Sequence, residues 1–430
     1  MPRNQRKVVI GLLLCSVVLK LGLAWVMRES YFERGNRYSI INPLAQNIIH
    51  RHEFSVTPGH PTAGHEPLYP LAVAGAYALF GTNWLSLAVI QALVAALNGL
   101  IIYYVALRIF ANPTLSLASL ALFSFYPFYV TQSISVTDTV FFCFGLALAT
   151  LLTIRCVPAA KIGPSVLCGL GWGLTLLTRF SAVALFPMAL LYFFLSSPWK
   201  KAVRTAVGVV IACCLVLAPW AYRNYRHSGK IFITSHGAIE VWLGYNPETE
   251  NVLRNDISVD TMKLDLEKKI PEIGRLRSED HASLISEEAE ESRVFIREAL
   301  SFAARNPGLC LKMVPLKLWK YWSWNYNPVS PSANAPAAKW WPAVYTLSYS
   351  PVLILALFGV FIKRPTVRSP AILLLFFLGY SLLHAALYGF SRLRIPLDQF
   401  LMIYAASAIV LVWDAILGKR RFEKGRRTAS

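Results

Sequence analysis

The stretch WLSLAVIQALVAALNGLIIYYVAL, residues 84–107, contains no Asp, Glu, Lys or Arg and is long enough to cross a bilayer as an α-helix. Similar apolar runs of about 15 to 25 residues recur along the chain. The composition agrees, because 55% of the 430 residues are hydrophobic, only 15% are charged and the mean hydropathy is +0.47. Soluble domains rarely have this balance, so the sequence predicts an all-α polytopic membrane protein.

The distribution of basic residues predicts the number of spans and their orientation. Lys and Arg cluster at the N-terminus, at 200–204, at 363–368 and in the C-terminal tail. With ten spans all four clusters lie on one side, which the positive-inside rule assigns to the cytoplasm. The short apolar run 67–81 is then expected to lie in the outer interface, with both termini cytoplasmic. The predicted spans are 8–26, 84–107, 114–131, 138–155, 164–178, 181–197, 202–221, 342–362, 370–389 and 397–417.

The spans divide the chain into three parts. Residues 1–221 form an N-terminal membrane module that includes a first outer loop, 27–83. Residues 222–341 form the one large polar segment, and 342–430 hold the last helices and a basic tail. The middle of the polar segment, 254–300, is charged and helix-like, and Pro307 is expected to end its helix. We interpret the polar segment as a lid over the membrane face.

The formal net charge of +19 does not indicate a nucleic-acid partner. Many of the cations flank apolar runs, where they set topology and contact anionic membrane lipids. The seven cysteines contain no CxxC pair and no Cys/His spacing typical of zinc, so neither a disulfide framework nor a structural metal is indicated. The first apolar run lacks a small-residue cleavage site, which predicts an uncleaved first helix.

The predicted topology gathers ionisable residues at the outer face. The loop PTAGHEPLYP, residues 61–70, supplies an acid and an imidazole, and further residues stand at the outer ends of later runs. Arginine presents paired N–H donors to phosphate, and a carboxylate takes a proton from a hydroxyl or holds a metal ion. Such a set suits a lipid-linked phosphate that carries a group for transfer. Its members are His65, Glu66, Asp138, Arg179, Arg223, Asn224, Arg392 and Arg394.

A purely structural interpretation of the same residues stays open. Arginines at helix ends also serve as anchors that reach the lipid headgroups. Asp138 stands where the helix dipole favours a negative charge, and Glu66 and His65 fit a solvated loop. The convergence of two carboxylates and four arginines from separate segments favours a functional site over these individual alternatives.

Five segments occur in an order that resembles the GT-C superfamily of polyprenyl-phosphate-sugar glycosyltransferases. They are PTAGHEPLYPLAVAGAYALFG, SVTDTVFF, LLTRF, APWAYRNYRHSGKIFITSHGAIEVWLGYNP and SRLRIPLD. The chain looks similar to the bacterial relatives of dolichyl-phosphate-mannose–protein mannosyltransferase and to the aminoarabinose transferase of lipid A. The resemblance implies a GT-C-like helical bundle in the bacterial inner membrane, with juxtamembrane helices in the first outer loop. It also implies transfer of a hexosyl or pentosyl group from undecaprenyl phosphate to an envelope glycan, lipid or protein on the periplasmic side.

The resemblance also implies site residues, with one departure from the family pattern. Arg37 stands where family members carry a catalytic acid after the first helix, and Glu33 lies shortly before it. The implied catalytic candidates are therefore Glu33, Glu66 and Asp138. The implied substrate-binding candidates are His65, Tyr69, Arg179, Arg223, Asn224, Arg392 and Arg394. The family includes enzymes with and without a divalent metal, and the sequence does not choose between them.

Two other functions compete with a glycosyltransferase. A non-catalytic relative that binds a lipid-linked sugar is favoured by Arg37 at the place of the acid. A lipid or oligosaccharide transporter needs charged sites at mid-membrane depth, for which Lys20 and His384 are the candidates. Transporters also commonly contain internal repeats, and the sequence has none that we detect.

Overall fold

The computed structural model describes residues 3–29, 32, 38–159, 161–279, 283–324, 341–362 and 371–427. Short 3₁₀ turns at Phe180–Ala184, Val259–Lys263 and Ser391–Arg394 connect some of the helices. Within these residues no β-strand forms, so the predicted all-α class is confirmed. The helices are α1 (Arg3–Val26), α2 (Tyr38–Arg51), α3 (Leu68–Phe80), α4 (Trp84–Phe110), α5 (Pro113–Ser124), α6 (Pro127–Ser133), α7 (Thr139–Ala159), α8 (Ile162–Thr178), α9 (Phe186–Ser196), α10 (Trp199–Ser228), α11 (His236–Gly244), α12 (Thr249–Arg254), α13 (Leu266–Lys269), α14 (Pro271–Ser278), α15 (Leu284–Arg305), α16 (Pro307–Trp322), α17 (Trp341–Ile362), α18 (Ala371–Ala386) and α19 (Ile395–Arg427).

Several of these helices have the length and composition of membrane spans. In the described part of the chain six helices qualify, namely α1, α4, α7, α10, α17 and the first part of α19. The pair α5 and α6 qualifies together but is bent by 59°, and α3, α8, α9 and α18 are apolar but shorter. Each of the ten predicted spans overlaps one of these helices or the bent pair. The polytopic membrane class is therefore confirmed, whereas the count of ten and the orientation stay predictions.

The bend between α5 and α6 has a local cause. Pro127 begins α6, and proline offers no N–H through which the preceding helix could continue. The freed carbonyl of Ser124, at the end of α5, accepts a hydrogen bond of 3.0 Å from Nζ of Lys20 on α1. Lys20 is buried and also donates to the hydroxyl of Ser16. This lysine, considered above as a transporter residue, thus satisfies a helix-end carbonyl inside the bundle.

Helices α8 and α10 pack with their backbones close together. A Cβ atom on Gly169 would lie 2.4 Å from the carbonyl oxygen of Val209, and one on Gly173 would lie 2.6 Å from Cβ of Val216. Glycines four positions apart on one helix face allow this approach between membrane helices. The contact holds α8 against the bundle up to its last residue, Thr178, directly before Arg179.

The polar segment between α10 and α17 has an apolar core of its own. Trp242, Met262 and Phe295 pack there with Tyr388 and Phe390, which come from the connection between α18 and α19. Helix α15 ends at residue 305 and residue 307 begins α16, so the predicted helix end at that proline is confirmed. Helix α10 continues without a break beyond residue 221. The polar segment therefore lies on the loop that precedes the last helix.

Candidate active site at one end of the bundle

Four separate parts of the chain meet at one end of the helical bundle. They are the loop 61–67, the connection between α8 and α9, the start of α11 and the loop 387–394. Hydrogen bonds join them directly, from the N–H of Phe180 to Glu66, from the N–H of Ser235 to the carbonyl of Ala63 and from the hydroxyl of Tyr388 to Glu240. The tertiary structure thereby brings together several candidates that are far apart in the sequence.

Asp138 and Arg179 form a two-pronged ion pair. Nε of Arg179 donates to Oδ2 of Asp138 at 2.8 Å, and Nη2 donates to Oδ1 at 2.7 Å. Nη2 also donates to the hydroxyl of Thr139 at 2.9 Å, and the guanidinium lies over the ring of Phe142. Both side chains are less than 20% exposed. The carboxylate of Asp138 is therefore bound through both oxygens, which suits a fixed charge better than a proton acceptor.

Glu66 lies beside this ion pair. Its Oε1 accepts the N–H of Phe180 at 2.9 Å, one residue after Arg179. Burial raises the pKa of the Glu66 carboxyl, the Phe180 N–H and the charge of His236 oppose the shift, and the charge of Asp138 adds to it. The net shift is upward. A carboxylate with a raised pKa is a stronger base than an ordinary one, so Glu66 is the better proton acceptor of the two acids.

The loop that carries Glu66 is held by an acid that the sequence analysis did not single out. Glu288 on α15 accepts the N–H of Ala63 at 2.7 Å and also the hydroxyl of Thr62. The hydroxyl of Ser235 donates to the same carboxylate at 3.4 Å. The stretch SEEAEE contains several acids of similar pattern, and nothing in the sequence marks this one. Its role depends on which turn of α15 faces the loop.

Arg223 and Asn224, predicted to bind substrate, are bonded to the protein itself. Nη1 of Arg223 donates to the carbonyl of Thr62 and to Oδ1 of Asn224, both at 2.9 Å, and its guanidinium lies over the ring of Trp220. Nδ2 of Asn224 donates to the carbonyl of Phe232 at 3.0 Å. In this structure the two residues join the end of α10 to the loops on either side of it.

Arg392 and Arg394 have very different surroundings. Arg394 is fully buried, donates to Oδ1 of Asp398 and to the carbonyl of Tyr321, and lies over the ring of Tyr349. Arg392 is partly buried, and its side chain forms no hydrogen bond or ion pair with any residue that the structure describes. Its charge lies near the hydroxyl of Tyr388. Arg392 is therefore available to an anionic ligand, whereas the guanidinium of Arg394 is fully used in hydrogen bonds inside the bundle.

The remaining predicted residues lie at or beside the same loop. His65 is partly buried next to Glu66. Tyr69 is buried at the start of α3, where its hydroxyl approaches Oε1 of Gln91 at 3.4 Å and its ring meets Phe141. Glu33 falls outside the described residues, as does Arg37. The loop before α3 thus supplies part of the candidate site.

A second acid–imidazole pair, absent from the sequence predictions, faces the same region. Nε2 of His236 lies 3.0 Å from Oε1 of Glu240, one helical turn later on α11. The other carboxylate oxygen of Glu240 accepts the hydroxyl of Tyr388. The sequence signal for the pair was the i, i+4 spacing within SHGAIE, once α11 was recognised as a helix. Among the described residues no group of three or more His, Cys, Asp or Glu could hold a metal ion.

Part of the sequence and the whole fold match known glycosyltransferases. The family model described as dolichyl-phosphate-mannose-protein mannosyltransferase matches residues 60–222, from the loop before α3 into α10. No curated protein matches the chain.

Solved structures of the Archaeoglobus fulgidus oligosaccharyltransferase share the arrangement of helices. The oligosaccharyltransferase AglB from Archaeoglobus fulgidus, in complex with an inhibitory peptide and a dolichol-phosphate, matches with a TM-score of 0.60 at 16% identity, over 99% of this chain and 52% of that one. The apo form of the Archaeoglobus fulgidus oligosaccharyltransferase gives 0.58 at 16% identity, over 97% and 52%. ArnT from Cupriavidus metallidurans, bound to undecaprenyl phosphate, gives 0.46 at 13% identity, over 93% and 77%.

The chain therefore shares its fold with the oligosaccharyltransferase AglB, and the resemblance to the GT-C superfamily stated from the sequence is confirmed as a likeness of fold, with a family-model match over residues 60–222. The chain spans about half the length of the oligosaccharyltransferases that it matches.

Proposed function

We propose that this protein is a membrane glycosyltransferase that moves a sugar from a polyprenyl-phosphate carrier to an acceptor at the outer face of a bacterial inner membrane. The observation that carries the proposal is the arrangement at one end of a GT-C-like bundle, where Glu66 lies beside the Asp138–Arg179 ion pair and Arg392 has no side-chain partner among the described residues. The family match over residues 60–222 supports a lipid-linked sugar as the donor.

The charges of the site suit the leaving group of such a reaction. Transfer of the sugar leaves a phosphate on the lipid, and fixed cations in a partly buried site stabilise the charge that develops there. Arg392 has its donors free within the described chain, and a guanidinium suits a phosphate through two parallel N–H bonds. The dolichol-phosphate bound by AglB supports a polyprenyl phosphate as the carrier.

The orientation follows from the charge clusters. With both termini cytoplasmic and ten spans, the loop 27–83 and the segment 222–341 lie on the periplasmic side, together with the site between them. The acceptor is then an envelope glycan, a lipid or a protein that presents a hydroxyl or amine at the membrane surface. We expect the donor to be a hexosyl or pentosyl group attached to undecaprenyl phosphate.

Sugar transfer in proteoliposomes tests the proposal. The purified chain is incubated with a panel of radiolabelled undecaprenyl-phosphate sugars and a crude envelope extract as acceptor. We expect transfer from one donor, lowered at least about 100-fold in Glu66→Gln. Glu250→Gln, at an acid on α12 that pairs with Arg254 and with none of the candidate site residues, is the matched control and should keep wild-type activity. Lipid binding without transfer from any donor would show a non-catalytic relative instead.

A further inference from the structure

His236 stands at the start of α11 with one side of its ring held and the other open. Nε2 lies 3.0 Å from Glu240, and the hydroxyl of Tyr388 donates to the other oxygen of that carboxylate. Within the described chain Nδ1 of His236 has no hydrogen-bond partner. A carboxylate that accepts Nε2–H keeps the lone pair of a neutral imidazole on Nδ1 and fixes the direction in which it points.

The position of His236 relative to the candidate site is fixed by the backbone. The N–H of Ser235, the residue before it, donates to the carbonyl of Ala63 at 3.0 Å. Glu288 binds both of these segments, through the N–H of Ala63 and the hydroxyl of Ser235. His236 is therefore brought to the loop that carries Glu66, and each of these two groups shifts the pKa of the other.

The exposure of the side chains fits a group that meets a substrate. The side chain of His236 is 52% exposed, whereas that of Glu240 is 21% exposed and Tyr388 is buried. Of the three hydrogen-bonded side chains, the imidazole of His236 is thus the one most exposed to solvent, and Glu240 and Tyr388 lie behind it. A histidine that serves only as a surface residue needs no such support, so the partly buried carboxylate of Glu240 and the buried phenol of Tyr388 indicate that the ring is held in a fixed orientation.

We propose that His236 accepts the proton of the acceptor nucleophile, and that Glu240 and Tyr388 are positioning residues that hold its ring. This inference rests on the proposed function. As the acceptor oxygen forms a bond to the anomeric carbon, its proton moves to Nδ1 of His236. The bond between the anomeric carbon and the phosphate oxygen breaks, and its electron pair leaves with the polyprenyl phosphate. The imidazolium then returns its proton to water.

The charges around His236 support this assignment. Desolvation alone would lower the pKa of His236, but the hydrogen bond and charge of Glu240 outweigh it, and the net shift is upward. Lys263 on the 3₁₀ turn opposes the shift and Glu66 adds to it. Burial alone would raise the pKa of Glu240, but its bonds to His236 and Tyr388 lower that pKa to about 2. This acid therefore stays ionised and cannot itself accept the proton at neutral pH.

The two acids of the site have other tasks in this scheme. Both oxygens of Asp138 are bound by Arg179. Glu66 stands beside His236, where its negative charge stabilises the imidazolium that forms during transfer.

Kinetics of His236→Ala in the proteoliposome assay test the inference, with the acceptor at saturation. We expect kcat to fall about 100- to 10,000-fold with little change in the KM of the donor. Added imidazole should restore part of the lost rate. His227→Gln, at an exposed histidine at the end of α10, is the matched control and should retain wild-type kcat. Thermal unfolding of each purified variant shows whether it is folded.

The pH dependence separates a positioning role from a structural one. Because Glu240 raises the pKa of His236, Glu240→Gln should move the acid limb of the kcat profile to lower pH and reduce the plateau. In a His236→Gln variant the new amide keeps a donor to Glu240 but has no proton acceptor of this strength, so that variant should be inactive yet folded.

The outcomes distinguish the two proposals. If the wild-type chain transfers no sugar from any donor, the proposed function is wrong and this inference falls with it. If the wild type transfers sugar while folded His236→Ala keeps its kcat, or loses only donor affinity, His236 is not the proton acceptor and the glycosyltransferase proposal stands. If the acid limb of the kcat–pH profile stays at the same pH in Glu240→Gln, Glu240 is not a positioning residue for His236.

Discussion

Arg392 and Arg394 stand two positions apart, yet the fold gives their guanidinium groups opposite surroundings. The guanidinium of Arg394 is 0% exposed, and hydrogen bonds to Asp398 and to the carbonyl of Tyr321 take the place of hydrogen bonds to water. Arg392 has no such partner among the described residues. In the sequence SRLRIP the two are equivalent, because both are basic residues before the last span. Only tertiary packing makes Arg394 part of the hydrogen-bonded core and leaves the guanidinium of Arg392 available to a ligand.

Neutral variants of these two arginines should therefore fail in different ways. Arg392→Gln should raise the KM of the donor about 10- to 100-fold, the loss expected for one charged hydrogen-bonding group, with unchanged Tm. Arg394→Gln should lower the stability by about 3 kcal/mol, because it leaves Asp398 charged and buried. Donor titrations and thermal unfolding in detergent measure the two effects. A lowered Tm for Arg392→Gln would contradict its assignment to the site.

Glu66 links stability to pH in a direction that can be measured. Burial raises the pKa of its carboxyl above the unfolded value, so folding takes up protons at this group. Its contribution to stability is therefore greatest below the unfolded pKa of about 4.3 and is lost as the pH rises through the raised pKa of the folded state. Above that raised pKa the folded protein holds a buried, ionised carboxylate, which costs stability, and an amide at this position removes that cost.

We expect Glu66→Gln to unfold at the same or a higher temperature than the wild type at about pH 8, while its activity is lost. The amide keeps an oxygen for the N–H of Phe180. The difference in Tm should shrink as the pH is lowered toward the unfolded pKa. Melting curves of both proteins across this range provide the measurement. A variant that melts below the wild type at about pH 8, by a margin that shrinks as the pH is lowered, would exclude a raised pKa of Glu66 in the folded state.

At the scale of the elements, the contact between α8 and α10 depends on the absence of side chains. Gly169 has the backbone of Val209 against it, so even one methyl group forces the two helices apart. Gly163, at the other end of α8, has nothing within 4 Å of the corresponding position. The two glycines lie on one helix, in its interior and in its first turn, and they face different surroundings.

Alanine at these two positions should have opposite effects. Gly169→Ala should destabilise the protein by about 1–3 kcal/mol through overpacking, whereas Gly163→Ala should be neutral or stabilising by up to about 1 kcal/mol. Chemical or thermal unfolding in the same detergent compares them. Because α8 leads into Arg179, Gly169→Ala should also reduce transfer activity. Equal stabilities would mean that α8 and α10 are not packed this closely.

The helices themselves were predictable where an apolar run is long. Residues 84–107 lack any charge, and α4 covers them. The bend at Pro127 lay inside one predicted span, 114–131, because a hydropathy pattern does not show the direction of a helix axis. The partner of Lys20 was equally hidden, since Ser124 lies on another helix.

For the whole molecule, the predicted orientation places the site and the polar segment on the side opposite the termini. Helix α3 is the decisive element. If it crossed the membrane, the N-terminal cluster of basic residues would lie on the opposite side from the other three clusters. His60 precedes α3, and Thr82 follows it, and both are exposed. An interfacial α3 leaves these two positions on the same side of the membrane, whereas a spanning α3 separates them.

Cysteine labelling in intact cells tests this topology. We expect His60→Cys and Thr82→Cys to react with a membrane-impermeant maleimide from outside, and Lys200→Cys to react only after permeabilisation. Native Cys143, Cys156, Cys168 and Cys213 are buried, so only Cys15, Cys214 and Cys310 need replacement in the background chain. Reaction of His60→Cys and Thr82→Cys from opposite sides would show that α3 crosses the membrane.

The sequence by itself determined the membrane class and the helical content, because long apolar runs and charge clusters act locally along the chain, and it predicted where the candidate site lies. It also named Glu66, Asp138, Arg179 and Arg392, which stand at the ends of such runs. Only the tertiary structure decided which of these charges are bound by the protein and which stay open, and it alone brought His236, Glu240 and Tyr388 together. Burial and pairing between distant helices depend on packing, and a local pattern carries no record of the partner.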